Sequence, residues 1–77
     1  MNREPLNCLG MKCPRPIVEM AKRTRKMEYG EILEVHADDP VAEHDIPAWC
    51  ESTGNKFLKM EKAGKFTKYF IKKSPKS

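Results

Sequence analysis

Apolar and polar positions along the chain sort into six short elements. Residues 4–9, with Leu6 and Cys8 apolar and Leu9 next along, read as a first strand. Gly10 breaks it, and Gly10-Met11-Lys12 reads as a loop. Ile17, Met20, Ala21, the aliphatic part of Thr24 and Met27 then recur at the spacing of one helical face. Lys22, Arg23 and Lys26 fall largely on the other side, and Gly30 is expected to stop the helix. Ile32, Leu33, Val35 and Ala37 predict a second strand with Leu33, Val35 and Ala37 on one face, ended by Asp38-Asp39-Pro40. Asp45 is expected to cap a second helix with Pro47 in its first turn. Ala42, Ile46, Trp49, Cys50 and Thr53 share one face of that helical region, and Gly54 closes it. Strands from Phe57 to Lys62 and from Phe66 to Lys72 follow, joined at Ala63-Gly64-Lys65 as a hairpin.

The order β-α-β-α-β-β predicts an α/β fold of the α+β type. The first two strands, joined by a helical crossover, should be parallel with a right-handed connection. The expected architecture is a two-layer sandwich, a four-stranded mixed sheet with two helices on one face and its other face partly exposed. The 77 residues are enough for one domain, residues 1–77, with residues 74–77 expected to be a disordered tail. A chain this short buries only about 60% of its unfolded surface, which leaves little room for an enclosed substrate pocket. A reactive group presented at the surface suits it better.

Composition narrows the setting. No apolar run approaches the roughly 20 residues that span a bilayer. Met1-Asn2-Arg3-Glu4-Pro5 has no apolar signal region behind it, so the chain is expected to be cytoplasmic. The formal charge of +4 is modest, but residues 22–26 carry Lys22, Arg23, Arg25 and Lys26, and Asp38, Asp39, Glu43 and Asp45 make an acidic stretch. The basic run reads either as a solvated helix face or as a docking surface for an acidic partner. Three cysteines, Cys8, Cys13 and Cys50, argue against a disulfide framework.

Of the three, Cys13 sits where a thiol is easily activated. It precedes Pro14-Arg15-Pro16, and the residue before a proline is pushed to extended geometry, which suits a helix N-cap. A helix N-terminus favours an anion, and cysteines so placed have lowered pKa values. Pro14 and Pro16 lack an N–H, which leaves the amides of Arg15 and Ile17 to aim at the sulfur. Lys12 and Arg15 add positive charge. Cysteine is not among the preferred N-caps, which argues for a chemical reason for its presence. Cys50 reads as core, and Cys8 as core or as a resolving thiol. His36 and His44 match no regular zinc spacing with Cys8 and Cys13, so no metal site is expected.

The run Asn7-Cys8-Leu9-Gly10-Met11-Lys12-Cys13-Pro14-Arg15-Pro16 strongly resembles the opening signature of the TusA/SirA/YedF/YeeD family of sulfur carriers. The resemblance continues through Gly30-Glu31, Asp38-Asp39-Pro40, Asp45-Ile46-Pro47, Trp49-Cys50, Gly54 and Phe70-Ile71-Lys72-Lys73. It implies a persulfide carried on Cys13 with no separate cofactor; Gly10, Lys12, Pro14, Arg15 and Pro16 are the residues expected to support the site. It also implies a cysteine desulfurase, a rhodanese or another sulfurtransferase as donor. The acceptors would be proteins used in tRNA thiolation, molybdenum cofactor formation or sulfur oxidation. The chain would be a relay rather than a stand-alone enzyme. Asn7 departs from the Asp found in many members, which removes a negative charge near the loop. Lys22, Arg23 and Lys26 are the expected docking residues, and a monomer is expected. Two other readings stand beside this one. The first is an RNA-binding module using the basic helix with Phe57, Phe66, Tyr69 or Phe70 as stacking platforms, although direct nucleic-acid binding is not favoured by so few aromatics at core-like positions. The second is a redox regulator with a Cys8–Cys13 disulfide.

Overall fold

A computed structural model describes residues 5–12 and 15–74. The elements run β1 (Leu6–Cys8), α1 (Arg15–Arg25), β2 (Ile32–Ala37), α2 (Ala42–Thr53), β3 (Lys56–Ala63) and β4 (Phe66–Lys72). The sheet order is β1-β2-β4-β3. β1 pairs parallel with β2, and the other two pairings are antiparallel. The expected mixed sheet and two-layer arrangement are therefore present.

Register decides which side chains meet. Leu6 lies opposite Val35 and Cys8 opposite Ala37, while Leu33, Val35 and Ala37 lie opposite Ile71, Tyr69 and Thr67. That face, with Met20 and Met27 from the α1 side and Ala42, Ile46 and Cys50 from α2, forms the hydrophobic core. Each fully buried side chain of leucine size contributes about 1.5–3 kcal/mol by leaving water. Among the described residues, no helix is long and apolar enough to cross a membrane.

Three boundaries differ from the sequence expectations. α1 ends at Arg25, not at Gly30. The Lys26 and Met27 amides donate to the Arg23 and Thr24 carbonyls, a tightened last turn that still buries Met27. Gly30 instead takes φ 93° in a separate turn, closed by the Glu31 amide on the Glu28 carbonyl at 3.1 Å. That is the third position of a turn that requires a left-handed residue.

α2 begins at Ala42, so Asp45 lies in its first turn and does not cap it, and Pro47 lies inside the helix. Asp39 starts the chain turning: its Oδ1 accepts the Val41 amide at 3.1 Å and its carbonyl accepts the Ala42 amide at 3.0 Å. Pro47 is reached once the first turn is closed, and it leaves the Glu43 carbonyl without its usual helical donor. Gly54, at φ 83°, closes the helix as expected.

The expected tail is tied down through Ser74. Gly30 and Lys73 exchange backbone bonds with Lys73 and Glu31 beyond the end of β4, and the Ser74 amide donates to Asn55 Oδ1 at 3.1 Å. The last three residues lie outside those described.

Candidate functional site in the loop before the first helix

Cys13 and Pro14, the centre of the sequence reading, lie outside the described residues. The frame around them does not. β1 delivers the chain into the loop, and the amides of Leu9, Gly10 and Met11 are each held by a hydrogen bond. Asn7 Oδ1 accepts the Leu9 amide at 3.0 Å. The Met11 amide donates to the Cys8 carbonyl at 3.2 Å. Gly10 takes φ 79°, with nothing within 4 Å of where a Cβ would stand. Its glycine is therefore demanded by backbone conformation, not by space.

The Gly10 amide crosses to the end of β2 and donates to both carboxylate oxygens of Asp38 at 3.1 Å. Asp38 thus ties the loop to the sheet, a role that sequence spacing of 28 residues did not signal. Asn7, for its part, caps the Leu9 amide through its side-chain oxygen, as an aspartate would. Replacing Asp38 with alanine should cost about 0.5–1.5 kcal/mol and expose the Gly10 amide to rapid hydrogen exchange. Asp38→Asn keeps an acceptor and should retain most of the protection. Unchanged exchange at Gly10 in Asp38→Ala would show that the loop holds itself.

Beyond the loop, the Arg15 amide donates to the Lys12 carbonyl at 2.8 Å. This corrects one expectation: that donor is spent on the backbone and does not aim at the Cys13 sulfur. Lys12 and Arg15 are exposed, and Pro16 is buried against the core side. α1 carries no acidic residue in its first turn, while Lys22, Arg23 and Arg25 sit in its last. The helix dipole therefore keeps its full attraction for an anion at the start. A shallow cleft of about 310 Å³ beside the loop is lined by Gly10, Met11, Lys12, Asp38, Asp39 and Pro40.

The proposed docking residues share another shallow depression, of about 180 Å³, in which Lys22, Arg23 and Lys26 meet Leu6 and Glu19. Lys22 and Lys26 are exposed and Arg23 is half-buried. Lys22 approaches Glu19 at 3.8 Å.

Cys8 and Cys50 are both buried free thiols. Burial pushes the Cys8 thiol up, helped by the Glu19 charge and opposed by Arg23. Burial alone pushes Cys50 from 9.0 to about 11. The unfolded chain releases the Cys50 proton near 9.0, while the folded chain holds it to about 11. Between those values the native state binds more protons, so this thiol makes stability fall as pH rises from 9.0 towards about 11. In chemical denaturation across that window, Cys50→Ala should show a shallower decline than the wild type. Parallel curves would remove the effect.

His36 bonds Glu34 at 2.5 Å, and among the described residues no three His, Cys, Asp or Glu side chains converge as a metal site would require. The aromatics of the RNA-binding reading separate. Tyr69 is buried and Phe57 packs on the core, whereas Phe66 and Phe70 lie on the opposite sheet face.

These features meet in one kind of small α+β domain, with a sheet-anchored loop on one side of the Cys-Pro-x-Pro run of the sequence and a helix on the other. The family model described as Sulfurtransferase TusA matches residues 4–73, and the chain belongs to that family. It is 41% identical over 68 residues to "Putative sulfur carrier protein YrkI" of Bacillus subtilis, covering 88% of this chain and 91% of that protein. It is 40% identical to "Putative sulfur carrier protein YrkF" of the same organism, over 88% of this chain but only 37% of that protein. A "Putative sulfur carrier protein" of Aquifex aeolicus is 42% identical over 90% of this chain and 35% of its own length. The chain thus spans about a third of two of these relatives and nearly all of the other. In fold it superimposes on a SirA-like protein of Desulfitobacterium hafniense with a TM-score of 0.74 at 22% identity, over 91% of this chain and 96% of that one.

Proposed function

We propose that the protein carries sulfur as a persulfide on Cys13. The observation that carries this reading is the tethered loop, Gly10 bonded to Asp38, which leads directly into the Cys-Pro-x-Pro box at an acid-free helix start. Membership in the TusA family and likeness to proteins named as sulfur carriers support it.

The chemistry needs only thiol exchange. The Cys13 thiolate attacks the outer sulfur of a donor persulfide, the donor's S–S bond breaks, and the donor thiolate leaves. An acceptor thiolate then attacks the outer sulfur on Cys13, and the Cys13 thiolate leaves in turn. Both steps depend on thiolate character and access. The helix start and the Lys12 and Arg15 charges favour the anion, with the Ile17 amide as the remaining first-turn donor. The donor, of desulfurase, rhodanese or related sulfurtransferase type, approaches along α1, where exposed Lys22 and Lys26 raise the association rate of an acidic partner. The acceptor is a second thiol protein, and the relay is expected in the cytoplasm with the chain as a monomer.

The test is intact-mass and peptide-level mass spectrometry after incubation with a cysteine desulfurase and cysteine. One labile sulfur should appear, on the peptide bearing Cys13, and leave on treatment with a reductant. Sulfur found on the Cys8 or Cys50 peptides instead would overturn the reading.

A further inference from the structure

Charge is segregated along this chain in a way the carrier chemistry does not use. Residues 27–55 hold eight acidic residues and no lysine or arginine. From residue 56 to 74 Glu61 is the single acidic residue, while lysine recurs at 56, 59, 62, 65 and 68 and again at 72 and 73. These positions make up the β3–β4 hairpin.

The sheet register puts four of these lysines, at 56, 59, 68 and 72, on the face away from the helices, while Lys62 lies opposite Thr67 on the helix side and reaches Glu43 at 3.5 Å. Lys56 lies opposite Lys72, Lys59 opposite Phe70 and Glu61 opposite Lys68. A bulge at Leu58 puts Lys56 and Lys59 on the same face although they are three residues apart. Like charges directly opposite each other are destabilising, so the Lys56–Lys72 pair is a cost to the fold. Protection of the exposed β3 edge accounts for lysines on β3. It does not account for Lys68 and Lys72, which sit on the interior strand β4. Among the described strand residues, the two carboxylates on this face are already engaged, Glu34 with His36 at 2.5 Å and Glu61 with Lys59 at 2.8 Å.

Aromatic rings lie among these lysines. Phe66 and Phe70 are half-buried on the same face of β4, four residues and therefore about 13 Å apart along the strand. The His36 ring stands 5.1 Å from that of Phe66, and Lys59 Nζ lies 5.0 Å from the centre of the Phe70 ring. Rings spaced along a lysine-bearing sheet match the needs of a flexible polyanion with flat bases: phosphates pair with ammonium groups, and bases stack on rings.

From this juxtaposition we infer that the open sheet face is a binding surface for single-stranded nucleic acid. The expectation against nucleic acid rested on the helix as the basic surface and on the strand aromatics as core, and register places two of those aromatics on the open face.

Fluorescence anisotropy of a labelled single strand of roughly twelve nucleotides, with the full chain, tests it. If about four lysines neutralise phosphates, affinity should fall about 50-fold between about 50 and 200 mM salt. Lys56→Ser with Lys72→Ser should roughly halve the logarithmic salt slope. Phe70→Leu and Phe66→Leu keep apolar bulk but remove the stacking face, and each should weaken binding at least about fivefold. Lys22→Ser with Lys26→Ser, on α1 and just past its end, should leave nucleic-acid binding unchanged. The sheet-face variants should still take up sulfur, which separates this inference from the carrier reading.

Absence of saturable binding at low salt would overturn the inference. So would equal binding of heparin with no effect of Phe66→Leu and Phe70→Leu, the signature of a generic polyanion site. Binding of anionic phospholipid vesicles, but not the single strand, with the same phenylalanine dependence would assign the face to membranes instead.

Discussion

Cys13→Ser is expected to accept no sulfur at all from a desulfurase and cysteine, while Cys8→Ser and Cys50→Ala load as the wild type does. Serine keeps the shape of the side chain but offers an alcohol that is not ionised near neutral pH, and an oxygen cannot stand in for the departing sulfur in thiol exchange. Neither other cysteine provides a second route. Cys8 is 0% exposed, and its thiol is pushed up by burial and by Glu19. Cys50 is 1% exposed, and burial raises it to about 11. Near neutral pH only about one Cys50 thiol in ten thousand is ionised, the raised Cys8 thiol is likewise held protonated, and neither has access to a donor. Labelled sulfur from cysteine, followed by non-reducing electrophoresis and mass spectrometry, measures the outcome. Circular dichroism establishes that the variant is folded. Labelled sulfur retained by folded Cys13→Ser would sink the carrier assignment. Loss of loading in Cys8→Ser as well would bring back the paired-thiol reading, in which that residue resolves the site.

Much of the frame around Cys13 was legible in the amino-acid pattern. The alternation of Leu33, Val35 and Ala37 marked β2 and its buried face because a strand exposes every second side chain to one layer. Gly64 marked the hairpin: at φ 70°, followed by Lys65 with no positive φ, it has the glycine-first form of a tight two-residue turn. Crossover length marked β1 and β2 as parallel. What escaped the sequence depended on contacts distant in the chain or on competing local signals. Asp38 and Gly10 are 28 residues apart, and no pattern couples them. Asp45-Ile46-Pro47 carries a convincing cap signal, yet Asp39, six residues before Asp45, starts the turn earlier and the first turn of α2 is already closed when Pro47 arrives. Gly30 looked like a helix stop because both a helix end and a tight turn call for a left-handed residue. The faces of the β4 aromatics follow plain alternation, which puts Phe66 and Phe70 on the side opposite Tyr69; what the bulge at Leu58 hid was β3, where Lys59 and Glu61 share the face of Lys56.

The largest effect on stability is expected at Ile46, where α2 is held to the sheet. Ile46 is fully buried, among core residues that come from β1, β2, β4 and both helical regions. It lies one turn before Cys50 and one turn after Ala42, so these three form the stripe that joins the helix to the core. Truncation to alanine removes the branched side chain and leaves a void that α2 can close only by moving towards the sheet. Pro47 follows immediately and limits how far that turn can bend. The expected cost is about 2–5 kcal/mol. A domain of this length is stable by only about 4–12 kcal/mol, so the loss is a large share of the total. Urea unfolding followed by far-ultraviolet dichroism should show a midpoint shifted well down, with little change in slope. Val18→Ala, at a position 43% exposed on α1, makes the same kind of deletion without the burial and should move the midpoint little. Equal shifts in the two variants would mean that α2 is not held by this stripe and that the core assigned to it is wrong. If the register is correct, Ile46→Ala should also leave the salt dependence of the open sheet face intact wherever the variant remains folded, because that face is built on the opposite side of β2 and β4.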